Sequence, residues 1–215
     1  MPMRLCSFHI KAILRISVLL CVVACALAEE PYFPIKTKAG EPGVPEFEAN
    51  WYGESLKRLK EPRLPDATKD SNAVIYRLMI LPTWGNPIVV RVQKHGRIYT
   101  LAARRLDGQA GYNPGKLVEQ KDVQLSENDS AALEMLLAQL KFFELPTDDG
   151  VLGCDGDEWI IEGVSGGKYH IVDRWCATSE NPQKRGLTEF NGLCKFLINK
   201  SELSERPKNK GHKLI

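Results

Sequence analysis

Apolar residues cluster in short runs along the middle of the chain, and turn residues separate the runs. The first, Ala73–Leu81, is rich in β-forming residues and ends at Pro82. The second and third, over residues 87–94 and 97–106, are separated by His95 and Gly96, and residues 116–125 form a fourth. Short turn-bounded runs in succession predict an antiparallel meander.

Other apolar residues recur at helical spacing and predict three helices. The three stripes are Tyr52, Leu56 and Leu59; Leu133, Leu136, Leu137 and Leu140; and Phe190, Leu193, Cys194 and Leu197. Ser126 precedes the second stripe as a candidate N-cap. The order helix, strands, helix, hairpin, helix predicts a single α+β domain. We expect a mostly antiparallel sheet of five to six strands with two or three packed helices.

The stretch GVSGGKYHIVDRW, residues 163–175, contains the G-x-S-x-G pattern of a hydrolase nucleophile elbow, followed by His170 and Asp173. A nucleophile elbow is a strand-to-helix turn, but the residues on both sides of Ser165 are strand-forming. The stretch therefore predicts a β-hairpin with a glycine turn. Alternation along a strand places His170 and Asp173 on opposite faces of the sheet, which disfavours a local catalytic triad.

Both faces of the predicted hairpin mix apolar with ionisable residues. The candidate binding residues are Glu162, His170, Asp173 and Arg174. In a structural interpretation, which we favour, they form buried hydrogen bonds and ion pairs. In a functional interpretation they line a pocket or a contact surface.

Three cysteines follow the N-terminal segment: Cys154, Cys176 and Cys194. Centring the hairpin turn between Ser165 and Gly167 places Cys154 nearly opposite Cys176, which predicts a Cys154–Cys176 disulfide in an exported protein. Cys176–Cys194 is the rival pairing. Cys194 lies on a helical apolar stripe, so its simplest interpretation is a buried thiol.

The N-terminus predicts export. Residues 1–28 combine a basic front, an apolar stretch over residues 16–25 and the small residues Ala26 and Ala28, which is typical of a signal peptide. An alternative is a lipoprotein signal over residues 1–24 with lipidation at Cys25. We expect a protein in the periplasm, or one anchored to the membrane and facing the periplasm.

The remaining chain divides by composition. Residues 29–45 are rich in proline and glycine and predict an extended leader, partly disordered. Residues 46–202 carry the predicted elements of the α+β globular domain. Residues 203–215 predict a basic disordered tail.

Charge and motifs exclude several classes of function. The chain has 29 Lys+Arg and 27 Asp+Glu, and residues 1–28 hold three of the basic residues and no acidic one, so their removal changes the formal charge from +2 to −1. Such a mixed charge predicts no nucleic-acid partner. Nucleotide-binding glycine motifs and zinc-ligand spacings are absent from the sequence, so no cofactor is expected. The acidic stretch over residues 148–158 lacks EF-hand spacing, which favours a solvated loop over a calcium site.

Residues 154–175 resemble a segment of an uncharacterised family of exported proteins and putative lipoproteins of proteobacteria. The matching positions are Asp155, Gly156, Trp159, Glu162, Gly163, Gly167, Tyr169, His170, Val172, Asp173, Arg174 and Trp175. The resemblance supports export and the predicted fold, and it implies no particular activity for this chain. Cys154 and Cys176 depart from the family pattern, which implies that their disulfide is a local feature.

These patterns favour a small non-enzymatic envelope protein of the inhibitor or immunity type. We expect it to bind an envelope protein or a cell-wall component through its sheet, with membrane contact only through a lipid anchor at Cys25. The alternative is an envelope hydrolase that uses carboxylates and His170.

Overall fold

A computed structural model describes residues 30–38, 41 and 43–204. The predicted signal peptide, the candidate lipidation site at Cys25 and residues 205–215 of the predicted tail lie outside the described residues. Within the part of the chain that is described, no helix is both long and apolar enough to cross a membrane.

Six strands form one antiparallel sheet. They are β1 (Val74–Pro82), β2 (Ile88–His95), β3 (Ile98–Leu106), β4 (Leu117–Gln124), β5 (Asp157–Ser165) and β6 (Lys168–Trp175). Their order across the sheet is β4-β3-β2-β1-β5-β6. The first four strands form the predicted meander, and the final hairpin joins it through pairing of β5 with β1.

Three α-helices accompany the sheet: α1 (Glu46–Arg58), α2 (Glu127–Leu140) and α3 (Thr188–Lys200). Ser126 caps α2 as predicted, since its side chain accepts a hydrogen bond of 3.1 Å from the Asp129 backbone N–H. Short 3₁₀ helices cover Leu64–Lys69 and Phe142–Glu144. These elements confirm the predicted α+β fold with an antiparallel sheet.

Helices pack against both faces of the sheet. Side chains of α2 and α3, including Leu133 and Phe190, pack with Leu78 on one face, the α2/α3 face. Side chains of α1, including Tyr52, pack with the neighbouring Met79 on the opposite face, the α1 face. Adjacent residues of a strand point to opposite faces, so both faces of the central strands are apolar.

The segment predicted as a leader contributes to the core of the α1 face. Phe33 and Val44 are buried, and the ring of Phe33 lies 5.9 Å from that of Tyr52 in an edge-on contact. Ile35 and Val44 form an isolated parallel bridge. The hydrophobic core therefore starts upstream of the predicted 46–202 domain.

The observed register of the final hairpin does not place the two predicted disulfide partners opposite each other. Ser165 pairs with Lys168, so the turn consists of Gly166 and Gly167, which both have positive φ and suit a type I′ turn. In this register Asp157 is the residue opposite Cys176, and its carbonyl accepts the Cys176 backbone N–H at 2.8 Å. Cys154 lies three residues further along, a span of roughly 10 Å in extended chain.

The described cysteines are all free thiols in the structure. The predicted Cys154–Cys176 bond is not formed, because Asp157 and not Cys154 lies opposite Cys176. The rival Cys176–Cys194 bond is not formed either. Cys194 is buried on α3, as its simplest interpretation predicted, and burial raises the pKa of its thiol.

The two ends of the sheet differ. At one end, strands are joined by the two-residue turns 96–97 and 166–167. At the other end lie longer connections over residues 83–87, 107–116, 146–156 and 176–187. We call the latter the loop end. Long loops on a rigid sheet are where binding residues concentrate, so the loop end is the first place to look for a functional surface.

Candidate functional site

The structure divides the four predicted binding residues between the two faces of the sheet. Glu162 and Asp173 lie on the α1 face, where they bond Tyr169 and Tyr52 respectively. His170 and Arg174 lie on the α2/α3 face. The four side chains therefore do not line one pocket, and each has its own structural partners.

Glu162 forms a buried ion pair with Arg77 of β1. Arg77 Nε donates to Glu162 Oε2 at 2.7 Å, and both side chains are inaccessible to solvent. Tyr169 donates its hydroxyl to the other oxygen, Oε1, at 2.9 Å. Arg77 Nη1 also donates to the Pro62 carbonyl at 2.7 Å. These bonds tie the chain after α1 to the hairpin, so Glu162 stabilises the fold.

Arg77 and its neighbour Arg91 share a second carboxylate. Glu61 is buried, with its Oε2 3.5 Å from Arg77 Nη1 and 2.8 Å from Arg91 Nε. Two carboxylates thus balance two guanidinium groups under the end of α1. Charge-assisted bonds of this kind are the stronger class of hydrogen bond, and here they fix the position of α1 on the sheet.

His170 and Arg174 hold residues 145–149 along the edge of β6. Arg174 donates from Nη1 to the Thr147 carbonyl and from Nη2 to the Pro146 carbonyl, both at 2.9 Å. His170 Nε2 lies 2.8 Å from the Leu145 carbonyl oxygen, which can only accept, so His170 is the donor. Burial, opposed by this bond, lowers the pKa of His170, and so does the charge of Arg174. Both residues therefore cover an otherwise open strand edge.

Replacing Arg174 by glutamine tests this role. We expect residues 145–149 to detach locally, because two charge-assisted bonds are lost, and the free energy of unfolding to fall by about 2 kcal/mol. The Asp173 backbone N–H, which donates to the Thr147 carbonyl, should then exchange with deuterium faster. The exposed Arg97→Gln is the matched control. Unchanged exchange at Asp173 in the Arg174 variant would contradict the assignment.

Asp173 forms a carboxyl pair with Glu158, a residue that was not among the predicted binding residues. Tyr52 of α1 donates its hydroxyl to Asp173 Oδ2 at 2.7 Å. Glu158, on the neighbouring strand, shares a hydrogen bond with Asp173. Two carboxyl groups can share such a bond only when one of them carries a proton.

The environment decides which member of the pair is protonated. Burial, followed by the negative charge of Asp173, raises the pKa of Glu158 to about 9. Burial raises the pKa of Asp173 to about 6, and the bonds donated by Tyr52 and Glu158 oppose that rise. At neutral pH Glu158 is therefore the proton donor and Asp173 the acceptor. The pair links α1 to both strands of the hairpin.

The carboxyl pair has the protonation states of a general acid and base, but it lacks His170, which lies on the other face of the sheet. Asp173 Oδ1 is shielded from solvent. Within the described residues, no group of three or more His, Cys, Asp or Glu side chains is arranged to hold a metal ion. The contacts of the pair are those of a link between helix and sheet.

Four large apolar side chains are exposed at the loop end. Trp84 in the β1–β2 loop and Tyr112 in the β3–β4 loop stack with their ring centroids 4.9 Å apart, and they are 44% and 65% exposed. Phe47, at the start of α1, is 75% exposed, and Leu152, in the loop before β5, is 83% exposed. We call these four residues the loop-end surface. The stacked, exposed pair of Trp84 and Tyr112 makes this surface a candidate contact site for a partner.

Backbone hydrogen bonds hold the loops of this surface together. Thr83 donates its N–H to the Gly156 carbonyl at 2.8 Å, and Gly111 donates to the Thr83 carbonyl at 3.3 Å. Trp51 of α1 donates Nε1 to the Ala110 carbonyl at 2.7 Å, and its ring lies 6.2 Å from that of Phe47. The surface therefore spans three loops and one helix that are fixed to one another, as a preorganised binding site requires.

Comparison with known proteins adds no assignment. No family model matches the chain, and no curated protein matches it significantly. The resemblance to an exported proteobacterial family stays a prediction.

Proposed function

We propose that this chain is a non-enzymatic binding protein of the cell envelope, of the inhibitor or immunity type, and that its partner is a protein. The observation that carries the proposal is the loop-end surface. Trp84 and Tyr112 belong to the residue types that dominate binding energy at protein interfaces. They lie on fixed loops, so binding requires little ordering of the chain.

The composition of the surface favours a protein over a cell-wall glycan. Phe47 and Leu152 have no polar side-chain atom that could bond a sugar hydroxyl, and they are the two most exposed members of the surface. Aliphatic and aromatic groups together match the apolar centre of a protein interface. The partner expected from the sequence is thus narrowed to an envelope protein.

We also place the proposed binding site at the loop end and not on the sheet, where the sequence analysis had placed it. Both faces of the hairpin strands are covered, by α1 on one side and by α2 and α3 on the other. An open area of sheet occurs over β2, β3 and β4, as a shallow depression of about 320 Å³ whose lining mixes polar residues with small and medium apolar ones: Arg91, Thr100, Leu101, Ala102, Asp122, Val123 and Gln124. It offers no large apolar side chain comparable to Trp84.

The alternative, an envelope hydrolase using carboxylates and His170, has less support. Its carboxyl pair, Glu158 and Asp173, lies beneath Tyr52 on the α1 face, whereas His170 contacts Phe142 on the α2/α3 face. A single reaction centre would need these groups on one side of the sheet.

Photocrosslinking in the source organism tests the proposal. A photoreactive benzoylphenylalanine replaces Tyr112 at the loop end, and a control variant carries it at Gln120, which is exposed on β4. We expect one stoichiometric protein partner at position 112, displaced by excess wild-type protein and lost when Trp84 is also replaced by alanine. Each variant is checked for an unchanged unfolding temperature.

Two outcomes would refute the proposal. One is that neither position yields a competable partner. The other is a turnover that Asp173→Asn abolishes while the fold stays intact, which would establish the hydrolase. Crosslinking at Gln120 alone would move the binding surface to the open sheet.

A further inference from the structure

Acidic side chains border the loop-end surface in the loop before β5. Residues 146–156 contain no lysine, arginine or histidine, and their acidic members are Asp148, Asp149 and Asp155. Asp155 is exposed and immediately precedes Gly156, whose carbonyl is bonded to the Thr83 N–H beside Trp84. The backbone that carries Asp155 is therefore tied to the β1–β2 loop that carries Trp84.

A second acidic border comes from α1. Glu46 and Glu48 flank Phe47 in the first turn of the helix. Burial raises the pKa of Glu48, and the charge of Asp148 raises it further, which indicates that the helix and the loop bring their carboxylates close together. The loop before β5 and the first turn of α1 thus bring acidic residues to the same end of the sheet as the exposed apolar side chains.

Acidic residues outnumber basic ones at the loop end. The loops over residues 83–87, 107–116, 146–156 and 176–187, together with the first turn of α1, hold seven Asp or Glu and three Lys or Arg. Lys36 lies 3.9 Å from Asp148, and Arg185 Nη2 lies 2.8 Å from Asp149. The charge distribution therefore favours approach of a positively charged partner to the loop end.

We propose that the loop-end surface binds a basic segment of a protein. Lysine or arginine side chains of the segment contact Asp155 and the first turn of α1, and an apolar side chain packs against Trp84 and Tyr112. The exposed rings offer the same cations a second favourable contact through their faces. The inference rests on the proposed function and adds the chemistry of the partner.

The test uses calorimetry with the full chain and three probes. Two are synthetic peptides with identical leucine and tryptophan positions, one carrying lysine and arginine and the other glutamate and aspartate at the remaining positions. The third is an oligosaccharide derived from peptidoglycan. We expect only the basic peptide to bind, with its affinity falling at least about tenfold between about 0.05 M and about 0.5 M salt.

Paired variants locate the binding. Trp84→Ala and Asp155→Lys should each weaken the basic peptide at least about tenfold. The controls make the same kinds of change elsewhere: Met135→Ala removes another exposed apolar side chain, and Glu144→Lys reverses another exposed charge. Both controls should stay within about twofold of the wild type.

The inference fails if the basic and acidic peptides bind equally, if neither binds, or if Glu144→Lys weakens binding as much as Asp155→Lys. Saccharide binding that Trp84→Ala abolishes would also overturn it, in favour of a cell-wall ligand. These failures are distinguishable from failure of the proposed function, because a protein crosslinked at position 112 would leave that function standing with a partner of different charge.

Discussion

Replacing Arg77 by methionine is expected to lower the free energy of unfolding by about 4 kcal/mol. The variant keeps most of the side-chain volume but leaves the buried Glu162 carboxylate without its counter-ion, and an uncompensated buried charge is among the costliest single changes in a protein core. The Pro62 carbonyl loses its donor as well. Denaturant unfolding monitored by tryptophan fluorescence measures the loss.

A second variant separates the lost charge balance from lost packing. Arg77→Met combined with Glu162→Gln removes the orphaned charge, so the double variant should be more stable than Arg77→Met alone. Arg91→Gln is the control for the same network, because Arg91 is partly exposed and shares only Glu61. A loss for Arg77→Met no greater than that for Arg91→Gln would contradict a fold held by the buried ion pair.

Replacing Glu158 by glutamine is expected to stabilise the protein at alkaline pH, by on the order of 2 kcal/mol at about pH 9. The folded-state pKa of Glu158 is raised from 4.5 to about 9. Between those values the folded chain keeps a proton that the unfolded chain has released, so this group's contribution to stability falls as pH rises. Asp173 adds to that loss from 3.8 to about 6. Glutamine keeps an N–H donor for Asp173 and never ionises.

The measurement is the difference in unfolding free energy between the variant and the wild type at about pH 5, 7 and 9. The difference should grow in favour of the variant as pH rises, because the penalty for charging Glu158 appears in the wild type only. Glu144→Gln, at an exposed position, should show no such trend. A pH-independent difference for Glu158→Gln would mean that the carboxyl pair does not hold a proton at neutral pH.

Local sequence patterns predicted most of the secondary structure because each signal lies within one element. The stripe from Leu133 to Leu140 and the β-forming runs before and after Ser165 needed no knowledge of distant contacts. Alternation within one strand also predicted that His170 and Asp173 lie on opposite faces of the sheet.

The features that the sequence did not predict depend on the exact strand register and on contacts between residues far apart in the chain. The predicted turn was centred on Gly166, which shifts the pairing by one residue from the observed register. The hydrogen bond between Glu158 and Asp173 depends on side-chain positions that the alternation pattern does not give. The ion pair of Arg77 and Glu162 joins residues 85 positions apart and exists only because β5 pairs with β1. Trp84 and Tyr112 meet for a similar reason, since two separate loops converge at the same end of the sheet.

We propose that this protein binds a partner protein through its loop-end surface. The most direct test is the yield of partner crosslinked by a photoreactive group at position 112, compared with the yield at position 120 of the open sheet. We predict a competable partner at position 112, abolished by Trp84→Ala, and background yield at position 120. Equal yields at the two positions, or a yield at position 112 that Trp84→Ala leaves unchanged, would contradict it.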